Sequence, residues 1–417
     1  MTGLARRLGL TDAVSIGLGS MIGAGVFAVW GPAAGAAGSW LLVSLTLAAV
    51  VAVCNAWSSA ALAARYPAAG GTYVYGRERL GEFAGYLAGW SFVVGKLASC
   101  AAMAMVVAAY AAPGRERVAA AVAVIVVTVL NLTGVQRSAR LSRLISTLVI
   151  VVLLAVSAAG VIVAGSTPGG GAHPEVFADS LNAYGVLQAA GLIFFAFAGY
   201  ARIATLAEEV VEPERTIPRA VVITVATVLL LYALVALLTL IVLGPEDLAR
   251  VTDPVATATG AVLSPQWVWA VRVAAVLAAC GALLNLALGV SRTALAMSRD
   301  GHLPAALSRI DDRGVPRHAE LAVGAIVLTL VLVVDLRGVI GFSSFGVLTY
   351  YAVANASAGT LADWRWSGPV PAVGLVGCVV LAWSLPLLSV VTGVLVLAVG
   401  VALYAARGRR RAGEGWH

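Results

Sequence analysis

The chain has 417 residues, of which 61% are hydrophobic and 11% are charged, and its formal net charge is +7. This composition excludes an ordinary soluble domain, in which about a quarter of the residues are charged. The positive charge does not indicate a nucleic-acid partner, because the basic residues lie in short clusters between apolar stretches, as they do between the spans of a membrane protein.

Cysteine and histidine usage indicates neither a metal site nor a cofactor. The cysteines, Cys54, Cys100, Cys280 and Cys378, all lie in apolar stretches and show no CxxC spacing. We therefore expect buried, reduced thiols. The histidines are scattered, and no predicted helix carries a pair with the spacing of metal ligands.

Apolar stretches long enough to cross a membrane recur along the whole sequence. A helix of 18 or more apolar residues spans a hydrocarbon core of about 30 Å, and the sequence predicts about twelve such helices. They cover residues 12–34, 40–64, 82–112, 117–134, 143–165, 183–207, 218–243, 268–297, 319–335, 338–361, 368–385 and 387–405. The expected fold class is an all-α integral membrane protein surrounded by lipid.

The basic residues predict the orientation of these helices. An even number of spans places both termini on the same side of the membrane. With both termini in the cytoplasm, most of the 27 Lys and Arg residues lie in cytoplasmic segments, as the positive-inside rule requires. We therefore expect a multi-pass protein of the inner, cytoplasmic membrane. The basic residues left on the outer side are Arg115, Arg117, Arg250 and Arg337.

The first span contains four closely spaced glycines, Gly17, Gly19, Gly23 and Gly25. Glycine holds a helix together poorly. Unwinding would free backbone N–H and C=O groups, which a membrane tolerates only where protein, water or a ligand satisfies them. The N–H groups could then bind a carboxylate, and the C=O groups could accept from an ammonium group. Close helix packing through Gly19 and Gly23 is the alternative.

The third span contains the only lysine of the protein, Lys96, near its middle. Arginine stays charged at any accessible pH, whereas a desolvated lysine can lose its proton. An ionisable group at bilayer depth is a functional candidate, and we expect Lys96 to supply a positive charge that can be switched off. A static bond to carbonyl groups freed by an interrupted helix, or a side chain that extends to the interface, are the alternatives.

A glycine-rich linker from Gly165 to Asn182 separates two halves, and the span after it places aromatic residues beside a glycine. This span contains the run Phe194-Phe-Ala-Phe-Ala-Gly199. Aromatic side chains at this depth can close over a small ligand and exclude water, although a packing cluster is the alternative. The first span of each half thus carries an interruption signal. Transporters built from inverted repeats show this pattern, because their interrupted helices form the binding site at the bilayer midplane.

Three segments resemble motifs of the amino acid-polyamine-organocation transporters. The segment Gly19-Ser-Met-Ile-Gly-Ala-Gly-Val-Phe27 is similar to the first-helix signature of that family. Gly199 after its aromatic run, together with Glu208-Glu-Val-Val-Glu-Pro-Glu-Arg-Thr-Ile-Pro218, resembles the sixth helix and the loop that follows it. The segment from Gly289 to Pro304 is similar to the end of the eighth helix. The order and spacing of these motifs cover most of the chain.

The resemblance implies a LeuT-like fold of five-plus-five inverted repeats with two additional helices and with interrupted first and sixth helices. On this division residues 1–166 form the first repeat, residues 167–361 form the second, and residues 362–417 form the two additional helices and a basic cytoplasmic tail. It also implies a secondary active transporter of amino acids. We do not expect an enzyme and predict no catalytic residues, because the spans lack clustered nucleophiles and bases.

By the same resemblance, the carboxylate and the amine of the substrate bind at the two interruptions. The residues assigned to this substrate site are Ser20, Met21, Ile22, Gly23, Ala24, Gly25, Phe195, Ala196, Phe197, Ala198 and Gly199. Among them, Phe195 is the expected lid over the bound amino acid.

One departure from the family pattern bears on the substrate. Members often carry an acidic residue two positions after the sixth-helix glycine, where this sequence has Ala201 followed by Arg202. Without an anion there, a dicationic substrate such as a polyamine lacks a partner for its second charge, and an unpaired buried charge is costly. We therefore expect a neutral amino acid. An acidic amino acid that pairs with Arg202 is the alternative.

Further residues are expected along the pathway and at its cytoplasmic gate: Tyr200, Arg202, Glu208, Glu209 and Asn285. Arg202 can line a water path or pair with one of the two glutamates. Together with Glu212 and Glu214, these glutamates can also pair with arginines on the same membrane side and hold an inward gate shut, although surface ion pairs are often weak. Asn285 can hydrogen-bond to the first helix or make a structural bond between helices. The arginines in question are Arg140, Arg143, Arg215, Arg219 and Arg299.

The proton is the expected coupling ion. We expect Lys96 to lie near the first interruption, where sodium-driven members of the fold hold a sodium ion, so that its protonation stabilises one conformation. Some proton-coupled relatives carry their lysine in the fifth helix, where this sequence has Val149 or an apolar neighbour. An exchanger without proton coupling, and an amino acid sensor on the same scaffold, are the alternatives.

Overall fold

Helices account for nearly all of the backbone, as an apolar chain in lipid requires, because a helix satisfies its own N–H and C=O groups. The computed structural model describes residues 8–66, 70–133, 139–166, 180–199, 210–311, 315–363 and 366–414. Within these ranges the only extended pairing is an isolated parallel bridge between Leu8 and Val210. The predicted all-α fold class is confirmed.

The helices before the linker are α1 (Leu10–Met21), α2 (Gly25–Ala28), α3 (Trp30–Ala37), α4 (Leu41–Arg65), α5 (Thr72–Leu80), α6 (Glu82–Ala111), α7 (Glu116–Leu132) and α8 (Ala139–Ser166). The helices after it are α9 (Ala183–Phe197), α10 (Pro213–Leu248), α11 (Pro254–Val262), α12 (Pro265–Arg299), α13 (Arg317–Val333), α14 (Leu336–Gly359), α15 (Pro369–Ser384) and α16 (Leu387–Glu414). Two short 3-10 segments, Gly38–Trp40 and Ala305–Ser308, complete the described secondary structure.

Every predicted span coincides with at least one of these helices. Among the described residues, eight helical segments are long and apolar enough to cross a membrane, and the shorter helices α9 and α15 are also apolar. Multiple crossings are therefore confirmed. The count of about twelve stays a prediction, because several helices at predicted spans fall below the length that identifies a crossing.

The centre of the bundle is built on the contact between α6 and α14, which are the two most buried of the eight segments. Gly95 and Gly346 face each other at the crossing, where a Cβ atom on Gly346 would lie 2.8 Å from the Gly95 Cα atom. One turn along each helix, the Ser99 and Ser343 hydroxyl groups are 2.6 Å apart and hydrogen-bonded. Small and hydroxylated residues let membrane helices approach closely. This crossing holds Lys96, the neighbour of Gly95, in the interior.

The cysteine prediction is partly correct for burial. The structure places none of the four cysteines in a disulfide bond. Cys100 and Cys378 are buried, whereas Cys54 and Cys280 are only half-buried. The half-buried thiols lie on α4 and α12, whose outer faces are not covered by other helices of the chain.

The close contact of α6 and α14 predicts that a side chain added at the crossing destabilises the protein. Gly346→Ala should destabilise the protein by about 1–3 kcal/mol, because its Cβ atom would overlap the α6 backbone and force the helices apart. Gly289→Ala on α12 is the matched control, since a Cβ atom there meets nothing within 4 Å. Thermal unfolding of the purified variants in detergent measures both. Equal melting temperatures for the two variants would contradict the close crossing.

Candidate functional site

The first predicted span is interrupted within its glycine-rich segment. α1 ends at Met21, residues 22–24 are not helical, and α2 begins at Gly25. Ile22 has a φ of −85° and a ψ of 72°, which is the geometry of an inverse γ-turn. The Gly23 N–H group closes this turn by donating to the Met21 carbonyl oxygen at 3.0 Å. The interruption is therefore a defined turn between two helices that point into it.

The sixth predicted span stops being helical at Phe197, and we call this end of α9, residues 197–199, the sixth-span interruption. α9 ends there, and the Ala198 N–H group donates to the Phe195 carbonyl oxygen at 3.4 Å in the turn that follows. Gly199 is the last described residue before a gap that ends at Val210. Four predicted pathway residues lie outside the described residues, and their roles stay predictions: Tyr200, Arg202, Glu208 and Glu209.

The two interruptions pack directly against each other, with a glycine on each side of the contact. A Cβ atom on Gly25 would lie 2.6 Å from the Cα atom of Ala196 in α9. A Cβ atom on Gly199 would lie 2.8 Å from the Cα atom of Met21 and would overlap the Ser20 carbonyl group. Only glycine allows the backbones to approach this closely. The main chains of the two helices therefore meet without side chains between them.

Tyr232 of α10 joins both interruptions through its hydroxyl group. Its Oη atom lies 2.8 Å from the Met21 carbonyl oxygen and 2.9 Å from the Ala196 carbonyl oxygen. The side chain is fully buried, and its ring makes edge contacts with Trp30 and Phe197. A tyrosine hydroxyl has one hydrogen to donate, so the two carbonyl groups share it. Tyr232 thereby fixes the ends of α1 and α9 relative to each other.

Lys96 of α6 lies at the sixth-span interruption. Its Nζ atom donates to the Ala198 carbonyl oxygen at 3.2 Å, and the Tyr351 hydroxyl group of α14 donates to the same oxygen at 3.4 Å. The Lys96 residue is only 8% exposed. We expected its ammonium group beside the first interruption, but its hydrogen bond is to the sixth. The acceptor is the Ala198 carbonyl group at the end of α9, and Lys96 reaches it from α6.

The freed carbonyl groups already carry protein donors. The Met21 oxygen accepts from the Gly23 N–H group and from Tyr232, and the Ala198 oxygen accepts from Lys96 and Tyr351. A carbonyl oxygen has two lone pairs, so both oxygens are saturated. The start of α2 at Gly25 instead has unfilled donors, because the first N–H groups of any helix lack an intrahelical acceptor. The N–H groups at the start of α2 are the donors that the predicted carboxylate site would use, and that role stays a prediction.

Three side chains of the predicted site differ in how they are used. The Ser20 hydroxyl group donates to the Ile16 carbonyl oxygen of its own helix at 2.8 Å. Phe195, the predicted lid, is buried and 7% exposed in this conformation. Asn285 is exposed on α12, and no hydrogen bond joins it to the described residues of the first span. The predicted substrate contacts of Ser20 and Phe195, and the predicted interhelical bond of Asn285, stay predictions.

At the end of α2 that faces away from the turn, a buried tyrosine connects three segments. The Tyr110 hydroxyl group donates to the Phe27 carbonyl oxygen at 2.9 Å and accepts from the Val255 N–H group at 3.4 Å. Arg272 of α12 binds Asp253 at 2.8 Å, just before α11. These contacts tie α2 to the segment that enters α11. A cavity of about 320 Å³ beside Arg272 lies between α11 and α12, away from both interruptions.

The described ion pairs at the predicted gate include one expected pair, between Arg215 and Glu212, and one unexpected pair, between Arg143 and Asp12. Arg143 of α8 pairs with Asp12 of α1 at 3.2 Å. Arg215 pairs with Glu212 three residues earlier at 3.8 Å, and both side chains are mostly exposed. An exposed pair of this kind contributes little stability. The Arg143–Asp12 pair connects the fifth predicted span to the start of the first.

Sequence reasoning missed the three tyrosines that bind the freed carbonyl groups, Tyr110, Tyr232 and Tyr351. Each lies in an apolar stretch, where its hydroxyl group needs a buried partner. A polar group that must find an acceptor inside an apolar helix is the signal that could have identified them. The sequence does not say which carbonyl group each would reach, because that depends on how the helices pack.

The geometry makes Tyr232 a sensitive position. Tyr232→Phe keeps the ring but leaves the Ala196 carbonyl group without its hydroxyl donor, and such a loss costs about 1–3 kcal/mol. We expect a lower melting temperature in detergent and faster backbone hydrogen exchange in α1 and α9. Tyr184→Phe is the control, since that ring lies mostly exposed in the first turn of α9. Unchanged exchange in both helices after Tyr232→Phe would contradict the joining role.

Known proteins resemble this chain over nearly its whole length. Residues 8–406 match the family described as Amino acid permease. An uncharacterized transporter of Mycobacterium tuberculosis is 57% identical, over 97% of this chain and 92% of its own length. The branched-chain amino acid permease BcaP of Bacillus subtilis is 26% identical, over 98% of this chain and 94% of its own. The vacuolar cationic amino acid transporter 2 of Arabidopsis thaliana is 30% identical over 85% of this chain, which covers 59% of the plant protein.

These matches confirm the resemblance drawn from the first-helix, sixth-helix and eighth-helix motifs. The family match extends across the interrupted helices and the α6–α14 crossing, so it covers the site as well as the scaffold. The chain belongs to the amino acid permease family and is a multi-pass membrane transporter.

Proposed function

We propose that the protein is a secondary active transporter that carries a neutral amino acid across the cytoplasmic membrane by alternating access, driven by protons. The observation that carries this proposal is the direct contact between two interrupted helices, whose main-chain groups meet inside the bundle. Gly25 and Gly199 make that contact possible. A small zwitterion needs a donor end and an acceptor end at one place, and interrupted helices supply both.

The carboxylate of the substrate binds the N–H groups at the start of α2, around Ala24 and Gly25. The positive end of the helix dipole favours an anion there. The amine requires an acceptor that the protein has not already filled. Because the Met21 and Ala198 oxygens each hold two donors, the carbonyl groups of residues 22–24 and the segment after Gly199 are the candidates.

Charge near the site favours a neutral side chain on the substrate. Lys96 is the ionisable side chain that contacts the described part of the interruptions, and a cationic substrate would be repelled by its ammonium group. Ala201 stands where relatives often carry an acidic residue. One relative is named as a branched-chain amino acid permease and others as cationic amino acid transporters. The first of these names agrees with the charge argument.

We also propose the repeat architecture and the membrane orientation of the protein. Residues 1–166 and 167–361 form two inverted repeats, residues 362–417 add two helices, and both termini lie in the cytoplasm. In support, the interrupted helices lie at corresponding positions, α1–α2 at the start of the first half and α9 at the start of the second. The excess of basic residues in the assigned cytoplasmic segments supports the orientation.

Flux through the purified protein tests the function. Proteoliposomes containing the protein should accumulate a labelled neutral amino acid, such as leucine, alanine or serine, when the lumen is more alkaline than the outside. A screen of the twenty amino acids by thermal shift identifies which ligand raises the melting temperature of the folded protein. Binding without any flux, by gradient or by exchange, would replace the transporter proposal with a sensor.

Lys96 is proposed as the coupling residue, because its hydrogen bond to the Ala198 carbonyl oxygen is charge-assisted, and therefore strongest, only while the amine is protonated. Lys96→Met should lower accumulation driven by a pH gradient by about 5- to 150-fold, the range that a coupling free energy of about 1–3 kcal/mol spans. Exchange of internal for external substrate should survive. Lys96→Arg is the matched variant, since its charge is permanent. Undiminished gradient-driven uptake by Lys96→Met would exclude Lys96 as the coupling group.

A further inference from the structure

A second ionisable group is buried in the bundle, away from the interruptions. Glu320 lies in the first turn of α13 and is 1% exposed. Its Oε1 atom is 2.5 Å from the hydroxyl oxygen of Ser291 on α12, and its Oε2 atom is 3.4 Å from the amide nitrogen of Asn131 on α7. Three helices that are separate in the sequence therefore meet at this carboxyl group.

The partners of Glu320 are neutral. None of the ion pairs among the described residues includes Glu320. The ionisable groups that interact electrostatically with Glu320 are Arg292 on α12 and Cys100 on α6. Its own helix also carries Arg317 and His318, and Arg309 follows the short 3-10 segment. The other Lys, Arg and Glu residues on the helices packed against α13 are Lys96 and Glu82 on α6, Glu116 and Arg117 on α7, and Arg272 and Arg299 on α12. Arg292, Arg317 and His318 are exposed, and Cys100 is a buried thiol. A buried carboxylate without a cationic partner is costly, so this group has reason to take up a proton.

The hydrogen bonds of the cluster fit the carboxyl group with and without that proton. Without it, the Ser291 hydroxyl group donates to Glu320, and 2.5 Å is a usual length for such a charge-assisted bond. With it, Glu320 donates to the Ser291 oxygen, and the Ser291 hydrogen turns to the Leu288 carbonyl oxygen, which lies 3.0 Å away. Both states keep every hydrogen of this pair in a hydrogen bond.

Asn131 can also hydrogen-bond to the carboxyl group in either protonation state, from the side opposite Ser291. Its amide nitrogen faces Glu320, while its Oδ1 atom is buried and has no hydrogen-bond partner among the described residues. In the alternative protonated state, in which Oε2 carries the proton and Ser291 still donates to Oε1, a rotation of the amide by half a turn would present the Asn131 oxygen as the acceptor. This unused acceptor on Asn131 therefore supports a site that gains and loses a proton.

We propose that Glu320, held between Ser291 and Asn131, is a reversible proton-binding site that adds to the coupling of the transporter. One proton exchanges between water and a Glu320 carboxylate oxygen, and no covalent bond to the substrate is involved. The proposal rests on the proposed transport function for its role, although proton binding itself does not.

The cluster is connected to the substrate site through α12. A Cβ atom on Gly23 would lie 3.0 Å from the Cβ atom of Ala282 in α12, so this helix packs on the first interruption. Ser291 lies nine residues further along the same helix, about 14 Å away at 1.5 Å per residue. Proton binding changes how α12 is held between α7 and α13, and this change is transmitted to the interruption by the helix itself.

A static role makes a different prediction. An acidic residue in the first turn of a helix is stabilised by the helix dipole while it is ionised, and the same oxygens would also have to be ionised to hold a sodium ion. Neither role requires a carboxyl group that gains and loses a proton. The test therefore measures the protonation of Glu320 directly and does not depend on transport.

Infrared difference spectroscopy of the purified full-length protein, recorded between two pH values, detects a buried carboxylic acid by its C=O stretch. The wild-type protein should show a band that appears on acidification and is missing in Glu320→Gln, whose amide can keep bonds to Ser291 and Asn131. Glu246→Gln, at an exposed position, should leave the band unchanged. A band that persists in Glu320→Gln, or a spectrum that responds to sodium and not to pH, would overturn the proposal.

Transport then tests the role. In proteoliposomes, Glu320→Gln should remove the dependence of uptake on pH while leaving exchange of internal for external substrate within about twofold of wild type. Ser291→Ala should keep the carboxyl group and shift the midpoint of the infrared titration, and it serves if Glu320→Gln does not fold. An unchanged pH profile in Glu320→Gln would refute a coupling role. Absence of any flux in the wild-type protein would refute the proposed function but leave the infrared result standing.

Discussion

The hydrogen bonding of main-chain groups at the interruption of the first span and at the end of α9 is the constraint on which this structure depends. Inside a bilayer no water is available to satisfy a freed carbonyl group, so an interruption is stable only where other parts of the protein supply donors. Tyr232, Tyr351 and Lys96 supply them from three different helices. The bundle around α6, α10 and α14 is therefore arranged to deliver a small number of polar atoms to fixed points on the main chain.

Small residues make this arrangement possible. The Gly25 and Gly199 contacts bring the two main chains together, and the Gly95–Gly346 crossing brings α6 close to α14. Helix association in lipid relies on close packing and interhelical hydrogen bonds. A methyl group added at these points would push the main chains apart and so weaken the hydrogen bonds between the helices. These glycines favour the ends of the helices, where carbonyl groups lose their intrahelical donors. They also let the helices approach closely enough for other side chains to supply those donors.

The sequence predicted the membrane class, the helices and the family, because apolar length and the Gly19–Phe27 motif are local signals. It also predicted that Lys96 is buried. It did not predict that Lys96 reaches Ala198, because the choice of acceptor depends on how α6 crosses α14. Tyr232 and Glu320 were missed for related reasons. A tyrosine in an apolar span resembles any other aromatic residue, and a glutamate at the start of a predicted span resembles an ordinary helix-capping charge until the surrounding helices bury it.

Two ionisable groups in the interior occupy different positions relative to the interruptions. Lys96 touches the end of α9 directly, whereas Glu320 is connected to the first interruption through α12, which packs there at Ala282. On acidification each group gains one unit of positive charge, so Lys96 becomes charged and Glu320 becomes neutral. Acidification therefore places a buried charge at the end of α9 and removes one from the contact of α7, α12 and α13, so the cost of desolvating a charge moves from one part of the bundle to the other.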